Sequence, residues 1–343
     1  MKNEIGSEFT NIPLSDKTNN FFSNSTQWFL SGRSALYAIL EDLSLKGRKS
    51  VAMPSWCCDS MIKPFIDAGM DVRFYPVYCQ QGRIVQNIGF NCEILFLMDY
   101  FGYTAEATDL RKYNGIVIRD VTHSLFSKDY NDADYYFGSL RKWCGFWTGG
   151  FAWAKDGQQL KIANENNTEY VKLRKEAMEL KDCYINCKLD NNGNKVRDKK
   201  FLSIFDEAEK LLENAIAVSA DERDIVLARY LDVGFIKTRR RKNAKILMRA
   251  FGEELIFPIL NKDDCPLFVP ILVPHGKRNE LRHYLIQHDI FCPVHWLVSK
   301  YHVLDERTKA IYDQELSLVC DQRYTKEDMN RIVETIQQFW KNN

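Results

Sequence analysis

Apolar residues along the chain follow two rhythms. Leu36, Ile39, Leu40 and Leu43 recur at the spacing of one helix face, with Ser31 or Gly32 as the cap and Gly47 as the stop. Met61, Ile62, Phe65 and Ile66 repeat that spacing before Gly69. Between such segments lie short apolar runs: residues 50–53 before Pro54, the alternating Val72, Phe74 and Pro76, then residues 93–98, 115–118 and 133–137. Short apolar strands alternating with amphipathic helices predict a mostly parallel sheet covered on both faces. Residues 157–230 read as charged helices, and a basic run, residues 237–242, opens a further helix carrying Ala244, Ile246, Leu247 and Phe251. From about Leu267 the pattern changes to strands at 267–273, 290–296 and 316–319, with helices at 278–288 and 326–340. This predicts a large α/β/α domain over residues 1–235, its first 25 residues a polar arm, and a small α+β domain over 236–343.

Composition removes several classes. The chain has 343 residues, 45% hydrophobic and 27% charged, which are globular values. Lys+Arg number 47 and Asp+Glu 46, so the net charge of +1 gives no global reason to bind nucleic acid or anionic lipid. The longest strongly apolar run, residues 94–98, falls far short of the roughly 20 residues of a membrane span. No apolar stretch follows Met1-Lys2-Asn3-Glu4, so we expect no export signal and a cytoplasmic protein. The ten cysteines contain no C-x-x-C pair and no zinc spacing. They read as buried thiols, and no metal is expected.

In a doubly wound sheet, ligands collect beyond the carboxyl ends of the strands. The polar groups there are Ser55, Trp56, Asp99, Asp120, His123, Ser139 and Lys142. Three features stand in order: small residues at a helix start (Ser31-Gly32-Arg33-Ser34), an acidic strand end (Asp120-Val-Thr-His123), and a lysine after a strand (Ser139-Leu-Arg-Lys142) with Gly149-Gly150 behind it. Free N–H groups at a helix start can hold a phosphate. An aspartate at a strand end is commonly a turn residue, but it can also hold a cationic ring nitrogen. A lysine there is commonly a surface residue, but it can also serve as a Schiff-base amine. Ser139-Leu-Arg-Lys142 also fits S-x-x-K, yet Lys237-Thr238-Arg239 is no K-T-G, so the penicillin-binding reading fails. Gly32 belongs to no G-x-G-x-x-G, and a dinucleotide fingerprint is absent.

The order and wording of these segments resemble the DegT–StrS family of fold-type-I, pyridoxal-phosphate-dependent nucleotide-sugar aminotransferases. Ser31-Gly-Arg-Ser-Ala-Leu36 is similar to its phosphate segment, Val51-Ala-Met-Pro-Ser-Trp56 to its "V-x-x-P-S" strand, Ile118-Arg-Asp120-Val-Thr-His123 to its "E-D-A-A-H/Q" segment, and Tyr136-Phe-Gly-Ser-Leu-Arg-Lys142 with Gly149-Gly150 to its lysine segment. The tail is similar too, from Gln287 to Trp296, then Leu316-Ser-Leu, then Thr325-Lys-Glu-Asp-Met329. The similarity runs over about residues 28–155 and 230–340. Departures are Arg33 for threonine, Ser139 for histidine, Asp99-Tyr-Phe-Gly102 for H-x-x-G, Cys57-Cys58 in place of a ring-stacking aromatic, and no N-Y-R segment.

The resemblance implies a three-layer α/β/α fold, pyridoxal 5′-phosphate as cofactor and a homodimer. It implies that Lys142 forms the Schiff base and then moves a proton, and that Asp120 holds the ring nitrogen. His123 would meet the phenolic oxygen or the ring. Gly32, Arg33, Ser34 and Ser139 would hold the phosphate, Trp56 would stack on the ring, and His295 and Trp296 would reach the substrate. The implied reaction moves an amino group from an amino acid to a keto-sugar nucleotide or similar ketone. A dehydratase or lyase acting on a sugar, or an inactive scaffold, are the alternatives.

Overall fold

Ile94-Leu95-Phe96-Leu97-Met98 is buried along its whole length, the burial pattern of a strand covered on both faces. The computed structural model, which describes residues 4–104, 113–127, 130–163, 166–186 and 199–342, places it at the centre of a seven-stranded sheet. In chain order the elements of this part are β1 (Ile5–Gly6), β2 (Gln27–Phe29), α1 (Gly32–Leu45), β3 (Ser50–Pro54), α2 (Asp59–Asp67), β4 (Asp71–Tyr75), the hairpin β5 (Val77–Gln80) and β6 (Arg83–Gln86), β7 (Ile94–Met98), β8 (Ile116–Asp120), β9 (Tyr135–Ser139) and β10 (Gly150–Ala154). The sheet order is β2-β10-β9-β8-β7-β3-β4. Strands β4, β3, β7, β8 and β9 are parallel, and β10 runs antiparallel to both its neighbours. The parallel register puts Met98, Asp120 and Phe137 side by side at the carboxyl ends.

The charged stretch after β10 becomes α3 (Thr168–Asn186), α4 (Lys200–Leu212) and α5 (Glu222–Arg229). The expected helix from residue 157 begins only at 168, and positions 187–198 of that stretch lie outside the described residues. Then come α6 (Val233–Ala250), β11 (Phe268–Leu272), α7 (Arg278–Gln287), β12 (Ile290–Phe291), α8 (Glu306–Gln314), β13 (Glu315–Val319) and α9 (Lys326–Asn342). The basic run does not open its helix: α6 starts at Val233 behind the Asp232 cap, so the run lies mid-helix, with Arg240 buried in it. The strand expected over 290–296 stops at Phe291, because Pro293 has no N–H for a ladder and the chain turns away to the loop bearing His295.

Two large hydrophobic cores result, beside two small clusters around α3 and α4. One surrounds the seven-stranded sheet. The other joins α6, β11, α7, β13 and α9, and includes Ile5. The N-terminal segment is more than a polar arm: β1 adds in parallel to β12, and the Gly6 N–H donates to the Tyr324 hydroxyl at 2.8 Å. All nine described cysteines are free thiols.

The two consecutive glycines have a geometric cause. Gly149 has φ +106, which side-chain-bearing residues rarely adopt, and a Cβ on Gly150 would lie 2.1 Å from the Ser31 carbonyl oxygen. Strand β10 therefore presses against the start of α1. Gly150→Ala is expected to destabilise the protein by about 1–3 kcal/mol, read by urea denaturation, because the clash is with backbone and cannot be relieved by a rotamer.

Candidate active site

The start of α1 is built as an anion seat. Ser31 caps it in extended backbone and accepts the Ser34 N–H at 3.1 Å. The first turn holds no acidic side chain, so its positive end is not offset from within. A Cβ on Gly32 would sit 3.4 Å from the Gly138 carbonyl oxygen and 3.6 Å from the Ser139 side chain. The helix start and the end of β9 therefore face each other at contact distance. Ser139 caps the 3₁₀ turn Leu140–Lys142 by accepting the Arg141 N–H, and this turn carries Lys142 off the sheet.

Asp120 is the last residue of β8 and is 4% exposed. Its Oδ1 accepts the Thr122 N–H at 2.8 Å. Burial pushes its carboxyl up to about 6, against the opposing pull of the Thr122 hydrogen bonds and the Lys142 ammonium. His123 is buried between the rings of Phe101, at 5.3 Å, and Trp296, at 5.5 Å. Burial, then the Lys142 charge, lowers its imidazole to about 3, so it is neutral. Its Nδ1 accepts the Phe101 N–H at 3.4 Å, which leaves the ring proton on Nε2. Asp99 is committed elsewhere, to Arg119 at 2.7 Å and the Ser124 hydroxyl at 2.6 Å.

A cavity of about 330 Å³ collects these groups. Ser31, Gly32, Arg33, Ser139, Asp120, His123, Lys142 and Trp296 all line it. Three expected residues do not: Trp56, Ser34 and His295, the last of which lines a neighbouring cavity. Trp56 is fully buried, stacked on Tyr100 at 4.9 Å, and its Nε1–H donates to the His295 carbonyl at 2.6 Å. Cys58, Asp59, Ser60 and Met61 line the wall in its place. Ser34 is also fully buried, and its hydroxyl donates to the Ala215 carbonyl at 2.7 Å instead of facing the cavity. Sequence reasoning missed Glu8, Arg141, Arg174 and Glu209, which close the far side. Arg174 pairs with Glu8 at 2.6 Å and Arg141 with Glu209. Burial alone would raise the Glu8 carboxyl, but Arg174, Arg141 and Lys142 hold it well below the usual carboxylate range. No local signal separates Arg174 from its neighbours in a charged helix. Only its partner from the N-terminal segment marks it.

Lys142 also lines a second cavity, of about 420 Å³, with His295, Arg240, Phe268 and Pro293. It is an exposed residue at the junction of the two cavities.

No protein-family model matches the chain, and no curated protein sequence matches it. Solved structures do match in fold. A DegT DnrJ EryC1 StrS aminotransferase from Brucella abortus is similar at 13% identity and TM-score 0.61, covering 92% of this chain and 85% of that one. PseC from Helicobacter pylori, an aminotransferase involved in the biosynthesis of pseudoaminic acid, is similar at 15% identity and TM-score 0.61, covering 98% of this chain and 100% of that one. NtdA from Bacillus subtilis, crystallised with the cofactor PMP, is similar at 16% identity and TM-score 0.61, covering 91% and 72%. The chain thus has the mixed α/β fold of the fold-type-I aminotransferases, with a mostly parallel central sheet. Among the described residues no helix is long and apolar enough to cross a membrane.

Proposed function

We propose that the chain is a pyridoxal-phosphate-dependent sugar aminotransferase, a divergent member of the DegT–StrS group. The observation that carries this is one cavity lined by a buried carboxylate, a lysine amine and an uncompensated helix start. That donor set matches the three ends of one small molecule: a basic ring nitrogen for Asp120, an aldehyde for Lys142, and a phosphate for α1 with Arg33 and Ser139. The neighbours point the same way, since NtdA was crystallised with PMP and PseC acts in sugar biosynthesis.

When bound, the cofactor supplies an electron sink that lets a carbon beside the amino group lose a proton. The protein does the rest. Asp120, already costly to ionise in its buried place, holds a proton on the ring nitrogen by offering it a carboxylate. The neutral His123, with its ring proton on Nε2, would offer that N–H to the cofactor's phenolic oxygen. Lys142 Nζ would hold the aldehyde end of the cofactor and would carry a proton to and from the reacting carbon as general acid–base. Its place between two cavities puts it beside both the cofactor seat and the space for substrate. A retained lysine favours amino transfer over dehydration. We further propose a homodimer. Leu297 and Val303 are 81% and 71% exposed in the loop after Trp296, where a second copy would cover them and close the site.

Purified protein mixed with pyridoxal phosphate is expected to gain a visible absorption band, and glutamate is expected to remove it. A protein that stays colourless at saturating cofactor overturns the reading; a band that no amino acid removes overturns transamination.

A further inference from the structure

The second cavity ends on a group that the reading above leaves idle. His295 is 4% exposed and lines that cavity together with Lys142. Its ring is gripped by Phe268 at 5.0 Å, His123 at 5.3 Å and Phe101 at 5.4 Å. Its backbone N–H donates to Glu315 Oε2 at 2.7 Å, and its Nδ1 lies 2.8 Å from the Ser317 hydroxyl. The Ser317 hydroxyl in turn lies 2.5 Å from Glu315 Oε1. Glu315 and Ser317 are two apart on β13, so they share a face of the strand, and both are fully buried. Among the described residues, His295 Nε2 has no hydrogen-bond partner. A buried carboxyl, a hydroxyl and an imidazole thus form an unbroken chain whose last nitrogen is free, on a residue that lines the cavity.

We infer that Glu315, Ser317 and His295 form a proton relay that delivers a proton at His295 Nε2 to an oxygen of the substrate held beside Lys142. The inference rests on the proposed function, which supplies the acceptor ketone. The chain has two self-consistent directions. With Glu315 protonated, it donates to Ser317, Ser317 donates to Nδ1, and Nε2 carries the ring proton. With Glu315 ionised, both bonds reverse and Nε2 becomes an acceptor.

In the step, the Nε2–H bond breaks and an O–H bond forms on the departing carbonyl oxygen. Nδ1 takes the Ser317 proton, Ser317 takes the Glu315 proton, and Glu315 is left as carboxylate. The amine that replaces the oxygen releases two protons. One leaves with the oxygen as water, and the other returns along the chain to Glu315. No electrons change hands.

The charged and titratable surroundings permit this. Burial, opposed by the Ser317 and His295 hydrogen bonds and by Arg278 on α7, raises the Glu315 carboxyl to about 8, so it holds a proton at neutral pH. Cys79 on β5 and Cys292 after β12 also face it, and burial keeps both thiols protonated, at about 12. Burial above all, with His123 and Lys142 nearby, drives the His295 imidazole well below its ordinary value, so the ring passes a proton without storing one.

The test is the tautomer of His295, read by long-range nitrogen–carbon-proton NMR on the full chain labelled at histidine, with His295→Gln giving the assignment. In the wild type the ring proton is expected on Nε2 below pH 8 and on Nδ1 above it. In Glu315→Gln the carboxamide must keep its oxygen toward the His295 N–H and its NH₂ toward Ser317, so the proton stays on Nε2 at every pH. The same tautomer profile in both proteins overturns the relay. Ser317→Ala cuts the chain at its middle member and leaves the Glu315 carboxyl and the His295 ring in the protein. It is expected to lower kcat by about 10²-fold, leave KM within a few-fold, and abolish the fall in wild-type kcat above pH 8. An unchanged pH profile in that variant also overturns the relay. Failure of the cofactor reading shows separately, as a wild type that never gains the visible band while its tautomer still follows Glu315.

Discussion

Lys142→Ala will leave the protein folded and colourless. With pyridoxal phosphate added, no visible band should develop, and turnover with any donor–acceptor pair should fall by about 10⁴-fold or more, the upper range for a positioned proton carrier. The expectation follows from place more than from residue type. Lys142 stands on a three-residue turn that is fixed at Ser139 by a cap and at Leu140 by a backbone hydrogen bond to Gly149, so its amine is aimed while its side chain is exposed. Because the side chain is exposed, the stability of the variant should lie within about 0.5 kcal/mol of the wild type. Urea denaturation beside the absorption spectrum separates the two effects. A variant that still gains the band would assign the amine to another lysine and remove the basis of the proposed function.

Asp120→Asn should be more stable and less active. In the protein without cofactor, burial raises the Asp120 carboxyl from 3.8 to about 6. The folded state then binds this proton more tightly than the unfolded chain does. The stabilisation from holding it is complete below pH 3.8, and it is lost as pH rises to about 6. Above that, ionised Asp120 costs up to about 3 kcal/mol. Asparagine keeps the shape and the acceptor for Thr122 and never ionises. The cofactor-free variant should therefore unfold at higher urea than the wild type at pH 7, and the difference should vanish near pH 4. Activity should fall by about 10²-fold or more, since a neutral amide cannot hold the ring proton. Equal stability at pH 7 would mean that Asp120 is not strained, and normal activity would refute its role.

The sequence made the parallel strands and their polar ends legible because each strand is a short apolar run bounded by a helix pattern. That rule put Asp120, His123 and Lys142 among seven polar groups at strand ends, and the resemblance picked these three out. Strand β2 was not legible. Gln27, Trp28 and Phe29 are three residues with no alternation, and they are held as a strand only by pairing with β10. Trp56 was misplaced because its position after β3 says nothing of its direction. The ring turns inward to Tyr100 and to the His295 carbonyl, both distant in sequence. Ser34 misled in a similar way, since the cap geometry at Ser31 leaves the Ser34 hydroxyl facing Ala215. Ser317 lies in the strand expected over 316–319, but Glu315 falls just outside it, and the link of both to His295 is purely tertiary.

The parallel pairing of Ile5 with Ile290, and the reach of Gly6 to Tyr324, set an order of events during synthesis. Residues 5 and 6 have no partner there until residues 290 and 324 have been made. At about 5–20 residues per second, that wait is roughly 15–60 s. Glu8, a wall of the site, lies just after that waiting segment. A nascent chain can therefore finish its central sheet, with Lys142 and Asp120 in place, while the strand just before Glu8 still awaits its partner at residues 290–291.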